Sequence, residues 1–200
     1  AIVLAGLAGY EFATITFADE FMGHRLFASS MSAIGALGIG LWPKSSTVPM
    51  IMFITMAPLC FMAFMFTAKN LRSAFNAAVF TLAGTLYTGG LFGAVVLIPF
   101  MDPNNGRWWV FLLVSATIIN DTFAYMFGRL AGKHKLHKIL SPNKTWEGSA
   151  GGIAGSVLAV VGIKYLFITD LELLPSIGLG IILGIVSQVG DLMESFVKRS

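Results

Sequence analysis

"SIGLGIILGIVSQVGDLMESFVKRS" occupies residues 176–200, and its reading decides the fold. Its first fifteen residues carry no charge, and then Asp191, Glu194, Lys198 and Arg199 follow within nine positions. A bilayer-crossing helix needs roughly 20 mostly apolar residues, which predicts a span over 176–197. An ionisable group inside such a span costs about 2.5–3.5 kcal/mol on insertion scales, so Asp191 needs a reason to be there. Asp191, Glu194, Ser195 and Lys198 are spaced i, i+3, i+4, i+7 and fall on one helical stripe. Two carboxylates one turn apart with a hydroxyl make a hard-oxygen environment suited to Mg²⁺. Lys198 and Arg199 one turn on would meet phosphate. The plainer alternative, a Glu194–Lys198 pair at a helix end, leaves Asp191 unexplained.

The rest of the chain has the same character. It is 56% hydrophobic and 12% charged over 200 residues, with 17 Phe and 10 Met; a soluble domain usually carries about 25% charged residues. The expected fold class is all-α, a polytopic integral membrane helix bundle of about seven transmembrane helices. The spans read as 1–17, 26–42, 48–67, 74–100, 108–127, 149–168 and 176–197. The fourth contains Gly89-Gly90 and reads either as one tilted helix or as a helix with a broken piece. Residues 1–100 read as N-terminal transmembrane helices. Residues 101–200 read as a C-terminal catalytic region with a cytoplasmic basic loop over 128–148. The chain starts at Ala1 within apolar sequence, and it reads as truncated at both ends. The lone Cys60 excludes a disulfide framework and a thiolate metal site. Glu11, in the first span, reads as an interfacial or paired carboxylate.

Polar residues concentrate in the connections, and alternate connections are basic. Lys69 and Arg72 lie in one, Arg129, Lys133, Lys135, Lys138 and Lys144 in a second, and Lys198 and Arg199 in a third. Asp102 with Arg107, and Asp170 with Glu172, mark connections between them. The positive-inside rule places the basic set in the cytoplasm. The connection holding Asp19, Glu20, His24 and Arg25 fits that rule less cleanly. Trp108 and Trp109 suit the outer interface. The glycine pairs Gly148/Gly152, Gly151/Gly155 and Gly180/Gly184 read as close-packing faces.

A second acid, Asp121, shares a helix face with Tyr125 and Gly128 at i, i+4, i+7. It faces the basic loop "GRLAGKHKLHKILSPNKTWEG" (128–148), which holds five Lys or Arg, two His and one acid. Ser141-Pro142 is a helix-start signal. Lys144 is a compact charge suited to phosphate, Thr145 can donate to an oxyanion, and Glu147 adds a carboxylate. His134 and His137 read as ordinary loop residues rather than ligands. If their helices adjoin, Asp121 and Asp191 could hold a divalent cation between them, overhung by the basic loop. Acids for metal and bases for phosphate at lipid level point to phosphoryl or nucleotidyl transfer to a lipid head group.

Two of these stretches, "DTFAYMFGRLAGKHKLHKILSPNKTWEG" (121–148) and "GDLMESFVKR" (190–199), resemble the phosphatidate cytidylyltransferases, or CDP-diacylglycerol synthases, of the bacterial type. The motifs Asp-x-x-x-Tyr-x-x-Gly, Gly-Lys-His-Lys-Leu and Ser-Pro-x-Lys-Thr-x-Glu-Gly occur in order. The resemblance covers about the last half of the chain. It implies transfer of a cytidylyl group from CTP to phosphatidic acid, with release of pyrophosphate, in phospholipid biosynthesis. It implies Mg²⁺, alone or with a second cation, as cofactor, a homodimer in the bilayer, and no nucleic-acid partner. The implied location is a bacterial cytoplasmic (inner) membrane with the site facing the cytoplasm. The implied catalytic set is Asp121, Lys144, Asp191, Glu194 and Lys198, with Asp191 and Asp121 as metal ligands. Tyr125, Arg129, Ser141, Thr145, Glu147, Ser195 and Arg199 make the implied substrate-binding set. The family signature continues past Lys-Arg with a Lys-Asp pair, a Pro-Gly-His-Gly-Gly loop and an Asp-Arg-x-Asp ending, none of which is present in residues 1–200.

Two other classes fit the same residues less fully. A CTP-dependent lipid or polyprenol kinase would use the same cation and bases but move a different phosphate. A transporter would place its acids nearer the bilayer midplane and would not need an ordered "SPNKTWEG" loop.

Overall fold

A computed structural model of the chain describes residues 2–16, 22–45, 47–65, 70–137 and 141–199. Asp19, Glu20, Lys69, Lys138 and Ser200 lie outside the described residues, as does the side chain of Arg199. Among the described residues the fold is helical with one short hairpin, and the chain divides into two compact units, Ala1–Met101 and Asp102–Ser200.

The first unit contains α1 (Ile2–Thr16), α2 (Met22–Leu41), α3 (Thr47–Met65), α4 (Leu71–Thr85) and α5 (Leu91–Met101). A single π-helical turn, Leu86–Gly90, joins α4 to α5, so Leu71–Met101 is one apolar rod of 31 residues. This resolves the fourth span as one helix rather than a broken one. The wide turn sits where α2 comes closest: a Cβ on Gly89 would lie 2.8 Å from the carbonyl oxygen of Ser32. Beside it the Thr88 hydroxyl donates to Ser32 Oγ at 2.9 Å. Close backbone approach of this kind needs glycine. The helix α2 begins at Met22, so His24 and Arg25, expected in a connection, stand in its first turn. Long polar side chains at a helix end can reach the interface while their stems stay apolar.

The second unit contains α6 (Gly106–Ala131), β1 (Lys135–His137), β2 (Ser141–Thr145), α7 (Trp146–Phe167) and α8 (Leu173–Arg199). Among the described residues, five helical segments are long and apolar enough to cross a membrane: Thr47–Met65, Leu71–Met101, Gly106–Ala131, Trp146–Leu166 and Leu173–Lys198; Ile2–Thr16 is a shorter apolar one. The chain is an integral membrane protein, and the helical rods follow the order expected from the apolar runs.

Within the second unit, glycines set the spacing. A Cβ on Gly148 would lie 2.7 Å from the Ala124 carbonyl oxygen, and one on Gly152 would lie 2.8 Å from Asn120 Oδ1. On the other face of α7, Gly180 of α8 approaches the Val157 backbone to 2.6 Å by the same measure. The glycine pairs are therefore packing faces, as their spacing predicts. At one end of this unit, Leu112, Ala116, Val160, Ile163 and Ile168 form a buried core, with Trp108, Trp109 and Leu171 packed against it. Trp108 stacks on Phe167 at 4.2 Å, and Trp109 Nε1 donates to Asp102 Oδ2 at 3.0 Å. The hairpin lies at the opposite end, where α6 finishes and α7 starts.

That hairpin corrects one expectation. Ser141-Pro142 does not start a helix; it opens β2, which pairs antiparallel with β1 through Lys135–Thr145 and His137–Ser141. The helix begins at Trp146, five residues after Ser141. Thr145 is its N-cap, with φ −127° and ψ 156°, and its hydroxyl accepts from the Gly148 N–H at 3.1 Å. A Thr side chain that satisfies a first-turn donor is a stronger start signal than a Pro whose segment can pair with a neighbouring strand. The helix α6 also runs on to Ala131, so Gly128 and Arg129 belong to a helix rather than to the loop.

Candidate active site

The hairpin end of α6, α7 and α8 encloses a cavity of about 280 Å³. Each element contributes a particular chemistry to its lining. On α6, Asp121, Tyr125 and Arg129 are spaced i, i+4, i+8, which puts them on one stripe facing inward. From β2 come Asn143, Lys144 and Thr145, followed by Gly148 and Ser149 from the first turn of α7. The helix α8 adds Gln188 and Asp191, one turn apart.

The two acids found in the sequence thus line one cavity, together with Lys144. Lys144 Nζ donates to Asp191 Oδ2 at 2.8 Å. Both side chains are partly open, at 29% and 43% exposure, so this pair is worth at most about 1 kcal/mol to stability. Its significance is positional: it sets a cation and a carboxylate side by side over a second carboxylate. Arg129 donates to the Tyr125 hydroxyl at 3.3 Å along the same α6 stripe. Thr145 is buried, and its hydroxyl is engaged in capping α7.

Other predicted residues stand outside the lining. Glu147 turns away from the cavity. It accepts from the His134 backbone N–H at 3.2 Å through both of its oxygens, and its Oε1 lies 2.6 Å from His134 Nδ1. It therefore clamps the incoming strand to the start of α7, helped by the Trp146 N–H donating to the His134 carbonyl at 3.0 Å. Ser141 sits at the start of β2, away from the lining. Glu194 and Lys198 form an ion pair with each other, and neither they nor Ser195 lines the cavity. Their stripe on α8 is real, but each step also climbs the helix axis. Lys198 lies about 10 Å beyond Asp191 at 1.5 Å per residue, so a shared face does not mean a shared pocket.

Sequence reasoning missed four polar lining residues: Asn120, Asn143, Ser149 and Gln188. Asn120 is 0% exposed, and its Nδ2 donates to Asp121 Oδ1 at 3.2 Å. Gln188 donates to Asn120 Oδ1 at 3.3 Å and to the Ser149 carbonyl at 2.9 Å. The available signal was a polar amide in the middle of an apolar run, at 120 and again at 188. Neutral amides attract less notice than acids, yet they too are costly in lipid unless bonded.

Among the described residues no three His, Cys, Asp or Glu side chains come together as a metal-holding group. Two carboxylates do share the cavity, and that suits a cation whose remaining ligands come from a substrate's phosphates and water.

Comparison with known proteins identifies the family. A family model described as the cytidylyltransferase family matches residues 1–200. The chain is 31% identical over 172 residues to a phosphatidate cytidylyltransferase of Staphylococcus aureus (strain COL), covering 84% of this chain and 64% of that relative. It is 36% identical over 132 residues to one from Staphylococcus haemolyticus, covering 66% of this chain and 49% of the relative. It is 35% identical over 132 residues to another from Staphylococcus epidermidis, with the same coverage. The chain thus spans under two thirds of the length of these relatives. With that family model matching its whole length, this chain belongs to the cytidylyltransferase family.

Proposed function

We propose that the protein transfers the cytidylyl group of CTP to phosphatidic acid, giving CDP-diacylglycerol and pyrophosphate. The observation that carries this reading is the placement of Asp121, Asp191 and Lys144 in one cavity at the end of membrane-spanning helices. The names of the relatives point to the same reaction.

In the reaction, a phosphate oxygen of phosphatidic acid attacks the α-phosphorus of CTP. A new P–O–P bond forms there, and the bond from the α-phosphorus to the oxygen bridging to the β-phosphate breaks. Pyrophosphate leaves with that oxygen. Catalysis of this type rests mostly on positioning and on neutralising charge. Lys144 and Arg129 would hold phosphate oxygens, and Lys144 can turn from Asp191 to do so. Asn143 and the Tyr125 hydroxyl would donate to or accept from the polar parts of the substrates. Ser141 and Glu147 would act indirectly, by shaping the hairpin that carries Lys144. Glu194, Ser195, Lys198 and Arg199 continue the α8 stripe and would meet parts of the substrates that extend beyond the cavity.

Asp121 and Asp191 would hold Mg²⁺, alone or with a second cation. Such an ion supplies charge neutralisation on the phosphates and lines them up for displacement. We further infer that the cavity end faces the cytoplasm of a bacterial inner membrane. Arg129, Lys133, Lys135 and Lys144 lie at that end of the second unit, while Asp102, Asp170 and Glu172 lie at the other. A homodimer in the bilayer is part of the same proposal.

Labelled CTP tests the reaction. With purified protein, phosphatidic acid and Mg²⁺, label at the α-phosphate should enter the lipid, and label at the γ-phosphate should leave in pyrophosphate. Transfer of the γ-label to lipid would instead identify a kinase, and no lipid labelling from either position would overturn both enzymatic readings.

A further inference from the structure

The cavity contains two neutral amides to which the proposed chemistry assigns no contact with substrate. We infer that Gln188 and Asn120 are positioning residues: a hydrogen-bonded relay that fixes the orientation of the Asp121 carboxylate for its cation. This inference rests on the proposed reading of Asp121 as a cation ligand.

The relay starts from an atom that cannot turn. The carbonyl of Ser149, in the first turn of α7, can only accept, so the Gln188 group 2.9 Å from it must be the amide nitrogen. The same nitrogen lies 3.3 Å from Asn120, which must therefore present its oxygen. That leaves the Asn120 nitrogen facing Asp121, 3.2 Å from Oδ1. The orientation of both amides follows from one backbone carbonyl. The series crosses from α7 through α8 to α6, the three helices that build the cavity.

The packing supports the same conclusion. Asn120 is fully buried, so its amide needs partners. Gly152 makes room for it, since a Cβ there would come within 2.8 Å of Asn120 Oδ1. The Asn120 N–H on Oδ1 fixes how the Asp121 carboxylate would present itself to a cation. Groups of this outer kind commonly change metal affinity about 10- to 100-fold when removed. Polar contacts that only join membrane helices contribute little on average and do not depend on the ligand.

The test is Mn²⁺ binding to the purified protein in detergent, with the metal alone, read from the free-ion electron paramagnetic resonance signal. Gln188→Met keeps the shape but removes both donors, and is expected to weaken Mn²⁺ binding about tenfold with little change in melting temperature. Gln188→Glu places an acceptor against two acceptors and should weaken it at least as much. In an Asp121→Asn background, Gln188→Met should cause no further loss. If both Gln188 variants bind Mn²⁺ as the wild type does while Asp121→Asn does not, the relay is refuted and the reading of Asp121 stands. Equal losses from Gln188→Met with and without Asp121 also refute the relay. If Asp121→Asn itself binds Mn²⁺ normally, the cation reading fails and the relay fails with it.

Discussion

Lys144 and Asp191, 47 positions apart, meet at 2.8 Å across the cavity mouth, one from a β-strand and the other from a membrane-spanning helix. This contact joins the hairpin to α8, and it places the cation expected to bind phosphate against the acid expected to bind metal. In the absence of substrate each neutralises the other, and a bound metal and phosphate would separate them.

Asp191→Asn is expected to reduce turnover by more than about 100-fold, as for removal of a group that stabilises transition-state charge. Melting temperature should move little, because the pair is half exposed and worth at most about 1 kcal/mol. Initial rates with phosphatidic acid and CTP, beside thermal unfolding in detergent, check both parts. Near-normal turnover would remove Asp191 from the mechanism.

Gly152→Ala should destabilise the second unit by about 1–3 kcal/mol, the usual cost of overpacking. The added methyl meets Asn120 Oδ1 at 2.8 Å and its carbonyl oxygen at 2.9 Å, and the latter is backbone that cannot swing aside. Gly162→Ala is the control, with nothing within 4 Å of the new carbon. Unfolding midpoints that agree between the two variants would contradict the close helix approach.

Thr145→Ala removes the cap of α7 and should cost about 1 kcal/mol, whereas Thr145→Ser should retain most of it. Hydrogen exchange of the Gly148 amide reports the cap directly. Equal protection in the two variants would show that the hydroxyl does not cap the helix.

Asp102 gives a pH dependence at the end of the unit away from the cavity. Its carboxylate accepts from the Asn105 backbone N–H and the Trp109 indole, and these bonds hold it below its ordinary value of 3.8. A depressed acid adds stability above its unfolded value and loses it as pH falls through its folded one. Tryptophan fluorescence should therefore stay constant through neutral pH and change only on acidification below about 3.8. Asp102→Asn should abolish that step.

Much of the helical order was legible, since long apolar runs such as 176–190 have few stable solutions in lipid. The join over 86–90 was not, because a π turn leaves the same apolar composition as an unbroken helix. Asp121 and Asp191 stood out as charges where charge is costly, and Lys144 as a base in the ordered loop between them. Asn120 and Gln188 did not, because an amide reveals its role only through its partner. The start of α7 was misplaced by four residues because Pro142 and Thr145 both signal a beginning, and strand pairing decided between them.

By itself the sequence determined an all-helical membrane protein, the order of its helices, and the charged residues that a lipid-level site would use. Those follow from local rules: 3.6 residues per turn, and the cost of unpaired polar groups in hydrocarbon. Only the tertiary structure decided which of those groups meet. Asp191 reaches the cavity and Lys198 does not, although they share a stripe, because depth along α8 and the glycine-set spacing of α6, α7 and α8 place one inside and the other beyond. Periodicity describes a face; packing decides what stands opposite it.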